Sequence, residues 1–166
     1  MKRQRGTTLI ELVMTIVIIS VAIAGVVGAF SLIAGRSADP LNQSRAVALA
    51  QLYMDEIIAK QFADESAAGG GAVNATKANC SNTVVDDERR STFNDVSDYN
   101  GLDNKPPQNS EEDPLNGYSN FQVAISVQCA GEEVGFAQDH QAKRINITIT
   151  DPSGNHYLFS AYRGNF

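Results

Sequence analysis

The chain has 166 residues, room for one domain plus an appended segment, and its 43% hydrophobic content is unevenly spread. The formal net charge of −6 is also uneven: Lys2, Arg3 and Arg5 stand at the start, and the remainder carries 10 basic against 19 acidic residues. So acidic a body makes a poor nucleic-acid partner, which requires clustered Lys and Arg, and none is expected.

The first predicted element is a membrane helix. From Leu12 to Ala34 there is no charged residue. At about 1.5 Å per residue this run reaches roughly 34 Å, enough to cross a bilayer core. The core of a secretory signal peptide is shorter, about 7–15 residues, and ends in a small-residue cleavage site that this chain lacks. Basic residues ahead of a first membrane segment stay in the cytoplasm, so the rest of the chain is expected to face outward. A plain anchor leaves Glu11 unexplained, because a lone carboxylate inside a membrane helix costs roughly 2.5–3.5 kcal/mol. A cut after Gly6 supplies a counter-charge, since the new α-amino group of Thr7 then lies within about one helical turn of Glu11.

Those residues carry a pattern. "KRQRG" followed by "TTLIELVMTIVIIS" resembles the leader and helix of the type IV prepilin family. The resemblance implies cleavage after Gly6 by a prepilin peptidase, N-methylation of Thr7, and a role for Glu11 in guiding the subunit into a growing filament. The family usually has phenylalanine where this chain has Thr7; cleavage depends mainly on the glycine. Residues 1–6 are thus expected to be a leader, 7–35 a transmembrane and filament-core helix, and 36–166 an outward-facing globular domain. Within the helix Ser20, Ala24 and Gly28 recur every four residues, which either permits close helix approach or reflects chance in a segment rich in small side chains.

"GRSADP" interrupts the apolar run, with Asp39 as an expected N-cap and Pro40 in the first turn of a second helix over about 41–62. At 100° per residue Ala46, Val47, Ala50, Tyr53, Met54, Ile57 and Ile58 gather on one side, opposite Arg45 and Glu56. Leu49 and Leu52 fall outside that arc. Residues 63 to about 117 read as a long loop. Its acidic residues Asp86, Asp87, Glu88, Asp95, Asp98 and Asp103 do not match an EF-hand and are expected to form a solvated surface.

Strand patterns follow over about 119–162. Phe121, Val123, Ile125 and Val127 alternate with polar or small residues, as do Ile145, Ile147 and Ile149. "DPSGN" then supplies a turn before "HYLFSAYR", so three antiparallel strands are expected, the last two as a hairpin. Their apolar face needs a cover, and the second helix is the substantial candidate. The expected class is α+β: a long N-terminal helix, half membrane-spanning and half amphipathic, packed on a small antiparallel sheet, which is the pilin-like fold. Two cysteines, Cys80 and Cys129, lie in the outward-facing part. An oxidising compartment favours a disulfide between them; two unpaired buried thiols are the alternative.

"MDEIIAKQF" before a glycine run, "STFNDVSDYNGL", "YSNFQVAISV" and the closing "SAYRGNF" resemble, in that order, minor pilins of the mannose-sensitive haemagglutinin (MSHA) pilus. The resemblance implies a low-abundance subunit acting in pilus assembly, with an indirect part in attachment. Its partners would be the prepilin peptidase, the inner membrane, the other major and minor pilins and the assembly platform. It would sit in the bacterial inner membrane before assembly and in a cell-surface pilus afterwards. A minor pseudopilin of a type II secretion system has the same leader, helix and sheet and is the nearest alternative; a subunit of a DNA-uptake pilus fits the acidic body less well. Catalysis is not expected: His140 and His156 lack metal-ligand spacing, no serine lies in G-x-S-x-G, and no cofactor or metal is implied. A sugar-binding adhesive loop within 63–117 is a third class of reading.

Overall fold

The computed structural model describes residues 8–36, 39–67, 70–80 and 89–166. Gly6 and Thr7, and the acidic Asp86, Asp87 and Glu88, lie outside the described residues. The chain divides into two units, one ending at Leu41 and one running from Asn42 to Phe166.

In the first unit the unbroken apolar run forms α1, Leu9–Arg36. Its Leu9–Ser31 stretch is long and apolar enough to cross a membrane. The second helix, α2, covers Asp39–Ile58, beginning with Asp39 and Pro40 and ending a turn before the 41–62 expectation.

The second unit is α2 from Asn42 onward against a sheet. The strands are β1 (Asp103–Asn104), β2 (Gln122–Cys129), β3 (Ala142–Thr150) and β4 (His156–Gly164), in the order β1-β2-β3-β4 and all antiparallel. Three of these match the alternating segments; β1 is additional. It is only two residues long, with no periodicity to reveal it, and exists because Asp103 and Asn104 pair with Ala124 and Val123. The pattern is therefore α+β with a four-stranded sheet.

Period-2 alternation buries the expected face. Phe121, Val123, Ile125, Val127, Ile145, Ile147 and Ile149 all join one core with Ala46, Leu49, Ala50, Tyr53 and Ile57 of α2. The helix face differs from the expected arc. Leu49 is buried, whereas Val47 and Ile58 are exposed, so the packed stripe is turned toward Leu49 and is narrower than the apolar stripe. The reason lies in the loop: Phe93, Val96 and Tyr99 fill the flank beside Leu49 and Tyr53 and make part of the core, Phe93 and Tyr99 meeting edge to face at 5.0 Å.

The hairpin turn between β3 and β4 is organised by Asp151. Its Oδ1 accepts the backbone N–H groups of Ser153 and Asn155, and its Oδ2 accepts from the Asn155 amide and the Tyr157 hydroxyl. Burial alone would raise its carboxyl, but these donors hold it below the usual carboxylate range.

Candidate functional site

The N-terminal helix presents almost nothing polar. Between Leu9 and Ser31 the polar side chains are Glu11, Thr15, Ser20 and Ser31. Thr15 donates its hydroxyl to the carbonyls of Glu11 (3.0 Å) and Leu12 (2.8 Å), Ser20 to that of Ile16 (2.8 Å), and Ser31 to that of Val27 (3.0 Å). Each hydroxyl is thus satisfied within the helix, which is what an apolar surrounding demands. Glu11 is left as the single charged group of this stretch. It sits in the first turn, where Thr8 accepts the N–H groups of Glu11 (3.0 Å) and Leu12 (3.2 Å), and its residue is exposed. A carboxylate in the first turn also faces the positive end of the helix dipole.

Ser20, Ala24 and Gly28 follow one another along α1, all exposed. A Cβ built on Gly28 meets nothing within 4 Å, so the helix leaves open space there. These residues form a shallow strip on a surface otherwise studded with Leu, Ile, Val and Phe.

The second unit holds its long loop with a buried polar hub that sequence reading missed. Arg90 is buried, and donates from Nε and Nη2 to the two carboxylate oxygens of Glu56 on α2 (3.0 and 2.5 Å). Its Nη1 donates to the Gln108 carbonyl at 2.6 Å, and its guanidinium lies 4.2 Å from the Tyr53 ring centre. The Tyr99 hydroxyl donates to Glu56 Oε1 at 2.7 Å. Tyr53 both donates to the Gln108 carbonyl and accepts its N–H. Burial, followed by the Glu56 carboxylate, pushes the Tyr99 hydroxyl far above its ordinary value. Burial on its own would lower Arg90; the Glu56 contact outweighs it and raises the guanidinium. Glu56, expected on the solvent face, is therefore half-buried. One sign was available: Tyr53 and Glu56 are three residues apart on a helix and so share a face. Nothing in the sequence near Arg90 indicated its partner.

A second buried cation sits in β3. Lys143 donates to the Phe62 carbonyl and to Ser97 Oγ, both at 2.5 Å, with the Phe62 ring 4.5 Å from its Nζ. Burial pushes its amine down to about 8, against the pull of Asp95 and Asp98. Asp95 corrects the expectation of a solvated acidic surface: it is buried, and burial together with the Asp98 charge raises its carboxyl. Its Oδ1 accepts the Ser97 N–H, while Asp98 accepts the N–H groups of Asn94 and Asp95, so both acids serve the loop backbone. Asp103 is exposed and accepts from the Gln122 amide.

Cys80 and Cys129 are joined, with Cα atoms 5.3 Å apart and a sequence separation of 49. The bond fixes the loop after α2 to the last residue of β2. His140 lies in a short turn of 3-10 helix, and His156 opens β4 with Nδ1 3.0 Å from Thr150 Oγ1.

Residues 1–27 match the family described as the prokaryotic N-terminal methylation motif. No curated protein and no solved structure matches the chain. The motif covers the leader region and most of the apolar helix, and it supports a type IV pilin-like protein, pilin or pseudopilin. It implies processing by a prepilin peptidase and assembly with other pilins, and fits an inner-membrane-anchored subunit with a structural rather than enzymatic task.

Proposed function

We propose that this chain is a minor type IV pilin of an MSHA-type surface pilus, of the MshD kind, incorporated into the filament or priming its assembly and contributing to attachment indirectly. The observation that carries the pilin reading is the methylation motif over residues 1–27, joined to an apolar stretch, Leu9–Ser31, whose one charged residue is Glu11. The finer assignment is supported by the ordered likeness of the ectodomain segments, from "MDEIIAKQF" to "SAYRGNF".

The mechanism is assembly. The precursor inserts with its basic leader inside, and the peptidase cuts between Gly6 and Thr7. The freed Thr7 amine is methylated. Glu11 then neutralises that amine, or the amine of a neighbouring subunit, when the apolar helices bundle out of lipid. An unmatched carboxylate in such a bundle is costly, so this pairing selects the register of the incoming subunit. The strip of Ser20, Ala24 and Gly28 lets helices approach closely. The disulfide ties Cys80 to the sheet, and the hub ties Arg90 to α2, through this process.

Intact-mass and N-terminal analysis of the protein from its native host tests the reading. A chain beginning at methylated Thr7 is expected; one beginning at Met1 would overturn it. Recovery in sheared surface fibres is expected of a pilus subunit, whereas lost exoprotein export on deletion would instead mark a type II secretion pseudopilin.

A further inference from the structure

The two edges of the sheet are treated differently. Beyond β2 the segment around 100–104 covers the edge: Gly101 donates to the Ile125 carbonyl, Ile125 donates to that of Leu102, and Val127 donates to the Asn100 side chain. Beyond β4 the sheet order places no strand among the described residues, so alternate backbone groups of a nine-residue strand face away from β3. Native proteins blunt such edges with proline, lysine or inward charge. From His156 to Tyr162 the strand contains no proline, lysine, arginine or acid, the one inward charge, Arg163, standing at its far end, and the outer face shows Leu158 at 66% and Tyr162 at 43% exposure. Its inner side opens on an uncharged groove of about 200 Å³ lined by Ala50, Gln51 and Met54 of α2 and by Phe159, Ser160 and Ala161.

We infer that the free edge of β4 is the docking site for an extended segment of a different subunit of the same filament, which adds as a fifth strand. Its inward side chains are apolar and enter the groove beside Met54 and Phe159. The charge pattern specifies the rest. Arg163 is the one formally charged residue of β4; among the described residues it makes no ion pair, and its Nε is buried with no hydrogen-bond partner. A carboxylate near the end of the added strand complements it. A second copy of this chain docking through β4 has no acid to offer there, which favours a different subunit. Main-chain hydrogen bonds supply the affinity and the alternate pockets the selectivity.

The inference rests on the filament reading for the identity of the partner, and the test separates the two. The full chain is expressed in its native host with a benzophenone amino acid at Leu158, or at exposed Glu111 as the control, and irradiated on intact cells. The expected product at Leu158, and not at Glu111, is an adduct with a different protein whose own N-terminus carries the methylation motif, identified by mass spectrometry. The double variant Leu158→Lys, Tyr162→Lys, both at exposed positions and the second replacing the hydroxyl that donates to Glu133 by an ammonium that can pair with it, should keep its melting temperature and N-terminal processing but lose about tenfold in fibre recovery. An adduct with a second copy only, no adduct at Leu158, or wild-type fibre recovery of the double variant each overturns the docking site. Those results leave the filament reading standing if the chain begins at Thr7 and is present in fibres; a chain that begins at Met1 and is absent from fibres overturns both.

Discussion

Two regions of this chain are equally apolar and opposite in fate. Along α1 the large apolar side chains from Leu9 to Phe30 are 49–82% exposed, while those of the core under α2 are 0–9% exposed. Covering each is worth roughly 1.5–3 kcal/mol, so α1 requires a surrounding that is not water, and the second unit supplies its own. The sheet core is closed by residues far apart in sequence. In the proposed assembly the α1 surface is left for lipid or neighbouring helices, and Glu11 would make the two surroundings distinguishable, since lipid offers it no amine.

The largest expected effect comes from removing that distinction. Glu11→Val should leave membrane insertion intact and reduce recovery in sheared fibres by more than about tenfold, read by immunoblot of membrane and fibre fractions. Equal recovery would show that α1 differs from a plain anchor in nothing that matters.

In the second unit, the heaviest loss should follow from breaking the buried hub. Arg90→Met takes the guanidinium from the Glu56 carboxylate and the Gln108 carbonyl, leaving them only the Tyr99 and Tyr53 hydroxyls, and should cost about 3 kcal/mol in denaturant unfolding. Adding Glu56→Gln should restore part of it; no restoration would mean that the cost is one of packing. Cys129→Ser should cost about 2–4 kcal/mol, because it frees a loop closed over a separation of 49 residues. Since that closure lies outside α1, membrane insertion should be unchanged.

The smallest effect concerns Lys143. Its amine is held at about 8 in the folded chain, against an ordinary 10.5 when unfolded. Between those values the unfolded chain binds more protons, so folding becomes more favourable as pH rises. Compared with Lys143→Met, the wild type should gain about 1–2 kcal/mol between pH 8 and 10. A flat difference curve would show that Lys143 is solvated.

Much of this arrangement was legible in the residues. The unbroken apolar run determines α1, because length and lack of charge leave few alternatives. Period-2 alternation at Val123, Ile125, Ile145 and Ile147 determines two strands and the face they bury, since a pleated strand has only two sides. The motif matched over residues 1–27 is local, readable without any fold. Along α2 periodicity places Val47 inside the apolar arc and Leu49 outside it, whereas the structure covers Leu49 and leaves Val47 exposed.

What the sequence alone determined was therefore whatever depends on near neighbours: the membrane-length helix with its single acid, the alternating strands, the "DPSGN" turn, and the pair of cysteines. Only tertiary structure decided which face of α2 is covered, that Arg90 meets Glu56 and Lys143 meets Phe62, that Asp95 is buried, and that among the described residues one sheet edge is closed and the other open. The physical reason is that each of these balances desolvation against a partner tens of residues away, and no local pattern encodes where that partner will be.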